Sequence, residues 1–373
     1  MQPSTDALII GGGPAGLAAA IALRQRGISC VVAEALSPAI DKACGEGLMP
    51  DALSALQALG IEIAAEEGYP FRGIRFANSE HRVDAAFPEG RGIGVRRTAL
   101  HRRLSQHAHE AGARLLWNTR TSLADGHTAL INGKQLKFRW LIGADGQGSS
   151  VRRWAGLDRA YRTRLRYGFR HHYQVTPWSD FVEVHWARGG QLYVTPVSAE
   201  CVCIVYVTSE PKHDRGDILS SFPDVAHRLR EAPVLSRLRG AVSATRKLRR
   251  VASGTVALIG DASGSTDAVT GEGLAMSFRQ AHALAEAIEE GSLDHYSLAH
   301  SKIGRLPHAM GSLMLTMDRW PSLEVRAMRA LSGSPELFRE LLSVHMGMKS
   351  LFEFAAQRGP LLSWKLITEA FRG

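Results

Sequence analysis

The sequence predicts an α/β fold: a first domain built on a β-α-β unit, an antiparallel β-sheet domain, and a helical C-terminal region. Asp6 to Glu34 reads as strand, glycine turn, helix and second strand. Residues 166–208 hold four short β-like runs joined by tight turns, and apolar residues beyond Leu306 recur at helical spacing. With 373 residues, 45% of them apolar, the chain can build two domains with a core, and this composition excludes a disordered protein.

In the first unit, DALIIGGGPAGLAAAIALRQRGISCVVAE, Ala7 to Ile10 is a buried-strand run. Gly11, Gly13 and Gly16 then form GxGxxG around Pro14 and Ala15, and Leu17, Ala18, Ile21 and Leu23 continue at helical spacing until Gly27. Gly11 permits the tight turn, Gly13 lets a pyrophosphate approach the backbone, and Gly16 lets helix and strand pack closely, with free N–H groups aimed at the anion. Cys30 to Ala33 makes the second strand, and Glu34 follows where a carboxylate hydrogen-bonds an adenosine ribose and opposes a 2′-phosphate. Strand, turn, helix, strand and acid in register predict dinucleotide binding, against the alternative of a glycine turn that serves packing alone. They do not separate FAD from NAD.

The formal charge of +9 is spread in local pairs such as Arg102–Arg103 and Arg249–Arg250, with no long basic run. It reads as a solvated basic surface, and no nucleic-acid motif accompanies it. Cys30, Cys44, Cys201 and Cys203 offer neither a disulfide framework nor the paired spacing of a zinc site, so no metal is expected, and they indicate a reducing compartment. The N-terminus lacks a basic n-region and its apolar run is the glycine fingerprint itself, so we expect no signal peptide, no transmembrane segment and a cytoplasmic location.

Further along, Gly45 and Gly47 bracket Glu46 in SPAIDKACGEGL, which suggests backbone held close to something flat or bulky, or else an ordinary turn before the helix from Pro50. Arg97 opens a helix over Thr98 to Ala111, the wrong sign for the helix dipole, so an anion is expected nearby. Asn132–Gly133 marks a hairpin, and Gly143 to Arg153, GADGQGSSVRR, reads as strand, Asp145–Gly146 turn, and a helix from Ser149 or Ser150. The runs Arg166 to Thr176, Phe181 to Ala187, Gln191 to Val197 and Cys201 to Thr208 form the antiparallel sheet, carrying His172, Glu183, His185 and Tyr193 on a face that lines a pocket or meets solvent. Leu219 to Leu238 is predicted helical. Val256 to Ile259 is a strand, after which Gly260 to Leu274 repeats the strand-to-helix junction with Asp261 directly behind the strand, a second anion or ring-edge site. The stripe of Met310, Leu313, Met314 and Met317 is expected to be core or a dimer face.

Gly11/Gly13/Gly16 with Glu34, the ADG of Ala144 to Gly146 and the GDA of Gly260 to Ala262 together resemble the flavoprotein superfamily of para-hydroxybenzoate hydroxylase, flavin halogenases and geranylgeranyl reductases. The resemblance spans roughly residues 6–290. It implies a Rossmann-like FAD-binding domain of the GR2 type, a three-layer ββα arrangement, over residues 1–72, 93–160 and 250–305. The substrate sheet would take 73–92 and 161–249, and the C-terminal helical segment 306–373. By the same resemblance Arg97 contacts the FAD pyrophosphate, Asp145 and Gly146 form the DG motif shared between flavin and nicotinamide binding, and Gly260 and Asp261 hold the ribityl chain. Gly271, Glu272, Gly273 and Leu274 place backbone N–H groups at the flavin's pyrimidine end, and Cys44, Gly45 and Gly47 are expected to bind the cofactor, with Cys44 beside the isoalloxazine if the chain is a reductase.

The expected function is an FAD-dependent monooxygenase that uses NAD(P)H and O2 to hydroxylate an apolar or aromatic small molecule, a polyketide- or lipid-derived phenol, through a flavin C4a-hydroperoxide. His172, His185 and Tyr193 are its candidate bases. The alternative is a flavin-dependent reductase of isoprenoid C=C bonds, which ACGEGL and DAVTGEGL resemble. A flavin halogenase is disfavoured because its paired tryptophans are absent, and a flavoprotein without turnover because a four-stranded pocket-like sheet is present.

Overall fold

A computed structural model describes residues 4–211 and 215–368. The parallel part of its eight-stranded first sheet runs in the order Val256–Leu258, Lys134–Gly143, Ser4–Ile10, Cys30–Ala33 and Arg114–Leu116, with three further strands pairing antiparallel. Ala7, Leu8 and Ile9 are all fully buried, as a parallel strand covered on both faces requires. The helix Pro14–Gln25 packs on the helix Gly273–Glu289, and Ala18, Ala19 and Ala20 on the first with Ala281 and Ala285 on the second supply small buried side chains. The first helix starts just beyond the carboxyl end of Ser4–Ile10, and the second follows Val256–Leu258 after the loop 259–272; both N-termini open on one cavity. Asn132 (φ 50°) and Gly133 (φ 77°) form the predicted hairpin turn between Thr128–Ile131 and Lys134–Gly143.

The second sheet is eight-stranded, running Gly264–Ser265, Arg239–Leu248, Ala160–Gln174, Cys201–Thr208, Gly190–Ser198, Val182–Ala187, Gly73–Ala77 and Arg82–Ala86. It departs from the sequence reading in two respects. Val182–Ala187 pairs in parallel with Gly73–Ala77, so the sheet is mixed. The helix predicted over Leu219 to Leu238 is instead two short helices, Arg215–Ser220 and Pro223–Leu229, followed by extended chain and the strand Arg239–Leu248. Pro223 occupies the first helical turn, where a missing N–H does no harm, and so starts a new helix, while Pro233 lies in the extended chain.

The C-terminal region is helical, with Asp294–Arg319, Pro321–Ser332, Pro335–His345 and Leu351–Thr368; residues 369–373 of the predicted segment lie outside the described residues. Pro321 and Pro335 each open their helix. Among the described residues no helix is long and apolar enough to cross a membrane. The first three of these helices roof a cavity of about 750 Å³ bounded by the second sheet on one side and the two strand-to-helix junctions on the other.

Candidate active site

One end of the cavity is the glycine loop. Gly11 takes φ 110° and a Cβ there would lie 2.4 Å from the Ala144 carbonyl oxygen; one on Gly16 would lie 1.9 Å from that of Gly11. These two glycines serve packing and do not line the cavity. Gly13 differs: it lines the cavity, and a Cβ there would meet no protein atom within 4 Å. Pro14 and Ala15 line the cavity beside it. Glu34 stands at the end of its strand, outside the lining, and its carboxylate accepts from the Gly12 N–H (2.7 Å) and the Leu36 N–H (2.9 Å). His101, fully buried, meets the Gly12 carbonyl at 2.9 Å and fixes the loop from behind; nothing in the sequence pattern singled it out.

The helix Pro14–Gln25 and the helix Gly273–Glu289 both start without a side-chain cap and without an acid in the first turn. Their orphan N–H groups therefore need an anion or hydrogen-bond acceptor from elsewhere. Gly271 (φ 68°), Gly273 and Leu274 line the cavity at the second N-terminus, whereas the Glu272 side chain is buried behind them. Arg97 lines the same space with its Nε buried and without a partner, and it makes no ion pair among the described residues. An unpaired guanidinium and two uncapped helix starts around one cavity fit a pyrophosphate with a ring system beyond it.

Asp145 anchors the second glycine turn. Its oxygens accept from Ser149 Oγ, from the Ser150 N–H (2.6 Å) and Oγ (2.8 Å), and from the Val151 N–H (3.2 Å), which leaves Gly146 at φ 76° facing the cavity. Asp261, behind Gly260 and with it on the cavity wall, is surrounded by protein yet exposed to the open space. Burial raises its pKa, against the lowering effects of Lys42 and Arg97.

Cys44, Gly45, Glu46 and Gly47 form the loop opposite, all on the cavity wall. Burial pushes the Cys44 thiol up, so it stays protonated. Glu46 is 2% exposed at φ 59°, and it supplies the anion the Arg97 helix required: Oε1 accepts from the Arg97 backbone N–H at 2.8 Å and from Arg170 at 3.1 Å, and Oε2 meets His172 Nε2 at 2.6 Å. Burial opposes ionisation of Glu46, but His172, the Arg97 N–H and Arg170 together outweigh it and hold the carboxyl below its ordinary range.

Of the three candidate bases, only Tyr193 lines the cavity, with burial raising its hydroxyl's pKa. Val182 and Val184 line it from their strand, so alternation turns Glu183 and His185 to the opposite face. There His185 meets Glu183 at 2.9 Å. Against burial, His185, Trp178 and Arg75 hold Glu183 at about 2. His172 shares the cavity-side face, in register with Cys203 and Thr195, but it is fully buried between Glu46 and Ser236 and is not part of the wall. Met310, Met314 and Met317 are buried as expected, yet with Leu313 they line the cavity, so this stripe is a pocket wall and not closed core.

A histidine the sequence reading missed reaches the wall from the C-terminal region. His345, last residue of Pro335–His345, places Nε2 3.2 Å from the Thr270 carbonyl oxygen and 3.3 Å from Glu272 Oε1. Burial lowers its pKa, while burial and the nearby Asp51 carboxylate raise that of Glu272 to about 8, against Arg279. A folded-state carboxyl raised from 4.5 to about 8 keeps its proton while the unfolded chain loses it, so stability falls as pH rises between those values. At about 1.4 kcal/mol per unit the ceiling is about 5 kcal/mol. Glu272→Gln removes that penalty. Denaturant melts of the apoprotein should show the variant more stable than wild type at pH 8.5 and equal to it near pH 4.5; a gap independent of pH would refute the shifted carboxyl.

Comparison with known proteins agrees with this geometry. Menaquinone reductase of Mycolicibacterium smegmatis is 26% identical over 86% of this chain and 87% of its own. Two solved structures share the fold: flavin-dependent brominase Bmp2 (TM-score 0.79, 17% identity, 99% of both chains) and p-nitrophenol 4-monooxygenase PnpA from Pseudomonas putida (TM-score 0.77, 19% identity, 92% of this chain and 97% of that one). A profile of the FAD binding domain family matches residues 4–292, the stretch that holds both helix N-termini, Arg97, Asp145 and Asp261. The chain belongs to that family, and is an FAD-dependent oxidoreductase.

Proposed function

We propose that this chain is a monooxygenase that uses FAD, NAD(P)H and O2 to hydroxylate an apolar or aromatic small molecule, a polyketide- or lipid-derived phenol. The observation that carries the reading is the far wall of the cavity. Beyond the Gly271–Gly273 loop it is built from Phe71, Phe76, Met310, Met314, Phe338 and Leu342, and the cationic side chains on the lining, Lys42, Arg97 and Arg239, come from other segments of it. Such a wall favours a neutral, water-poor substrate and adapts to its shape through the methionines. Bound FAD supplies electron transfer from NAD(P)H and activation of O2, and the chain's part is to hold it, orient the substrate ring and exclude water.

Two observations favour a second reading, reduction of an isoprenoid C=C bond. The similarity to a protein named menaquinone reductase runs along nearly the whole chain, and Cys44 stands on the cavity wall. Rapid mixing separates the two. Anaerobically reduced holoenzyme meets oxygenated buffer with phenolic or polyprenyl candidates while flavin absorbance is followed. A transient spectrum distinct from oxidised and reduced flavin, with a hydroxylated product, is the monooxygenase outcome. Anaerobic reoxidation by a polyprenyl compound would replace it with the reductase.

A further inference from the structure

Among the described residues that line the cavity, His345 alone is a histidine. It lies where the two ends meet, between the Thr270–Gly271 backbone and the apolar wall of Phe338, Leu341 and Leu342. Its Nε2 faces a carbonyl oxygen, which fixes a proton on that nitrogen, and Nδ1 has no partner among the described residues. Nδ1 is thus a free lone pair. Behind the imidazole stands the Glu272 carboxyl, 2% exposed, at the start of the helix whose N–H groups open on the cavity.

We propose that His345 is the base that takes the hydroxyl proton of the substrate, with Glu272 as the residue that positions and supports it from the far side. This rests on the phenol reading above. In the step the substrate O–H bond breaks and its electron pair stays on the phenolate oxygen, the proton bonds to Nδ1, and the resulting imidazolium is held through Nε2–H by Thr270 O and Glu272. A phenolate ring is more electron-rich than the phenol, so it is the better acceptor of electrophilic oxygen. The charged groups bearing on the pair are Asp51 and Arg279, joined in an ion pair from two helices, and their effects on His345 oppose each other. Support from Glu272 grows as it ionises, so proton uptake by His345 becomes easier as pH rises through about 8.

The test uses holoenzyme and 4-heptyl-2-nitrophenol, a phenol with an apolar tail whose ionised form absorbs visibly. Its ionisation is titrated when bound to wild type, His345→Gln and Glu272→Gln, with flavin content measured in each. His345→Gln keeps a donor for Thr270 O but no basic nitrogen. Its bound phenol should ionise about one pH unit or more above the wild-type midpoint, a tenfold loss in proton uptake. Turnover of a true substrate by this variant should fall on the order of 100-fold. Glu272→Gln should abolish the inflection near pH 8. Equal midpoints in wild type and His345→Gln, both holding FAD, would overturn the role of His345 and leave the phenol reading standing. Should His345→Gln lose its flavin, an unchanged curve in Glu272→Gln overturns the proposal instead. Failure of wild type to bind the probe would remove the phenol reading, and this inference with it.

Discussion

Gly13→Val should yield a folded, colourless protein. The expectation follows from what surrounds that residue: a Cβ meets no protein atom within 4 Å, and the backbone sits at φ −72°, ψ 178°, an extended conformation that valine adopts without strain. The Cβ therefore finds open space, and the added branches would stand where the pyrophosphate is expected to approach the helix N-terminus. Affinity for FAD should fall roughly 100-fold or more, about 2.8 kcal/mol, while far-ultraviolet circular dichroism stays at that of the wild-type apoprotein. Gly16→Val is the contrast, because its Cβ would lie 1.9 Å from the Gly11 carbonyl oxygen, so that variant should lose fold and flavin together. Asp261→Ala should also be colourless if Asp261 holds the ribityl chain. Flavin absorbance per chain decides the matter: full retention in Gly13→Val would place the pyrophosphate elsewhere.

What could be read in the sequence was what is local. Strand, glycine turn, helix and second strand of the first unit follow one another within 34 residues, and each is dictated by its own period or backbone requirement. The strand Arg239–Leu248 escaped because RGAVSATRKL lacks clean alternation and carries arginine and lysine outward, with only Ala244 and Leu248 buried. The polar face of the second sheet was visible as residues but not as a face. Val184, Tyr193, Val205 and Arg170 are register partners, and only that pairing reveals that Val184 and Tyr193 share the cavity side while His185 turns away. His345 was invisible for a different reason: it meets Thr270 across 75 residues, and a single histidine at the end of an amphipathic helix has no local signature. Arg97 stands between these cases, since its wrong-signed helix start was legible and its partner Glu46 was not.

That partner carries a large expected loss of stability. Glu46→Ala removes the one carboxylate that answers the Arg97 N–H, Arg170 and His172, and Arg170 keeps only its 2.9 Å pair with Asp41. Arg170 is 1% exposed and His172 fully buried, and breaking such a buried pair costs about 3–5 kcal/mol. Backbone and side chain can be separated here because Glu46 lies at φ 59°. Glu46→Gly removes the same carboxylate but relieves the left-handed strain, so it should be more stable than Glu46→Ala by about 1 kcal/mol. The pH dependence has a definite sign. A carboxyl held below its ordinary range contributes fully above the unfolded value of 4.5, and loses that contribution as pH falls toward and through the folded one. Urea denaturation of apoprotein should therefore show wild type and Glu46→Ala widely separated at pH 7, with the gap closing on acidification. A constant gap would mean that the carboxylate is not what joins the Arg97 helix to the second sheet, and equal stability of the alanine and glycine variants would mean that the left-handed backbone there carries no strain. If the predictions hold, the same residue that shapes the cavity wall at Gly45–Gly47 also holds Arg97 at its edge, and loss of FAD affinity in Glu46→Ala follows as a consequence of lost positioning.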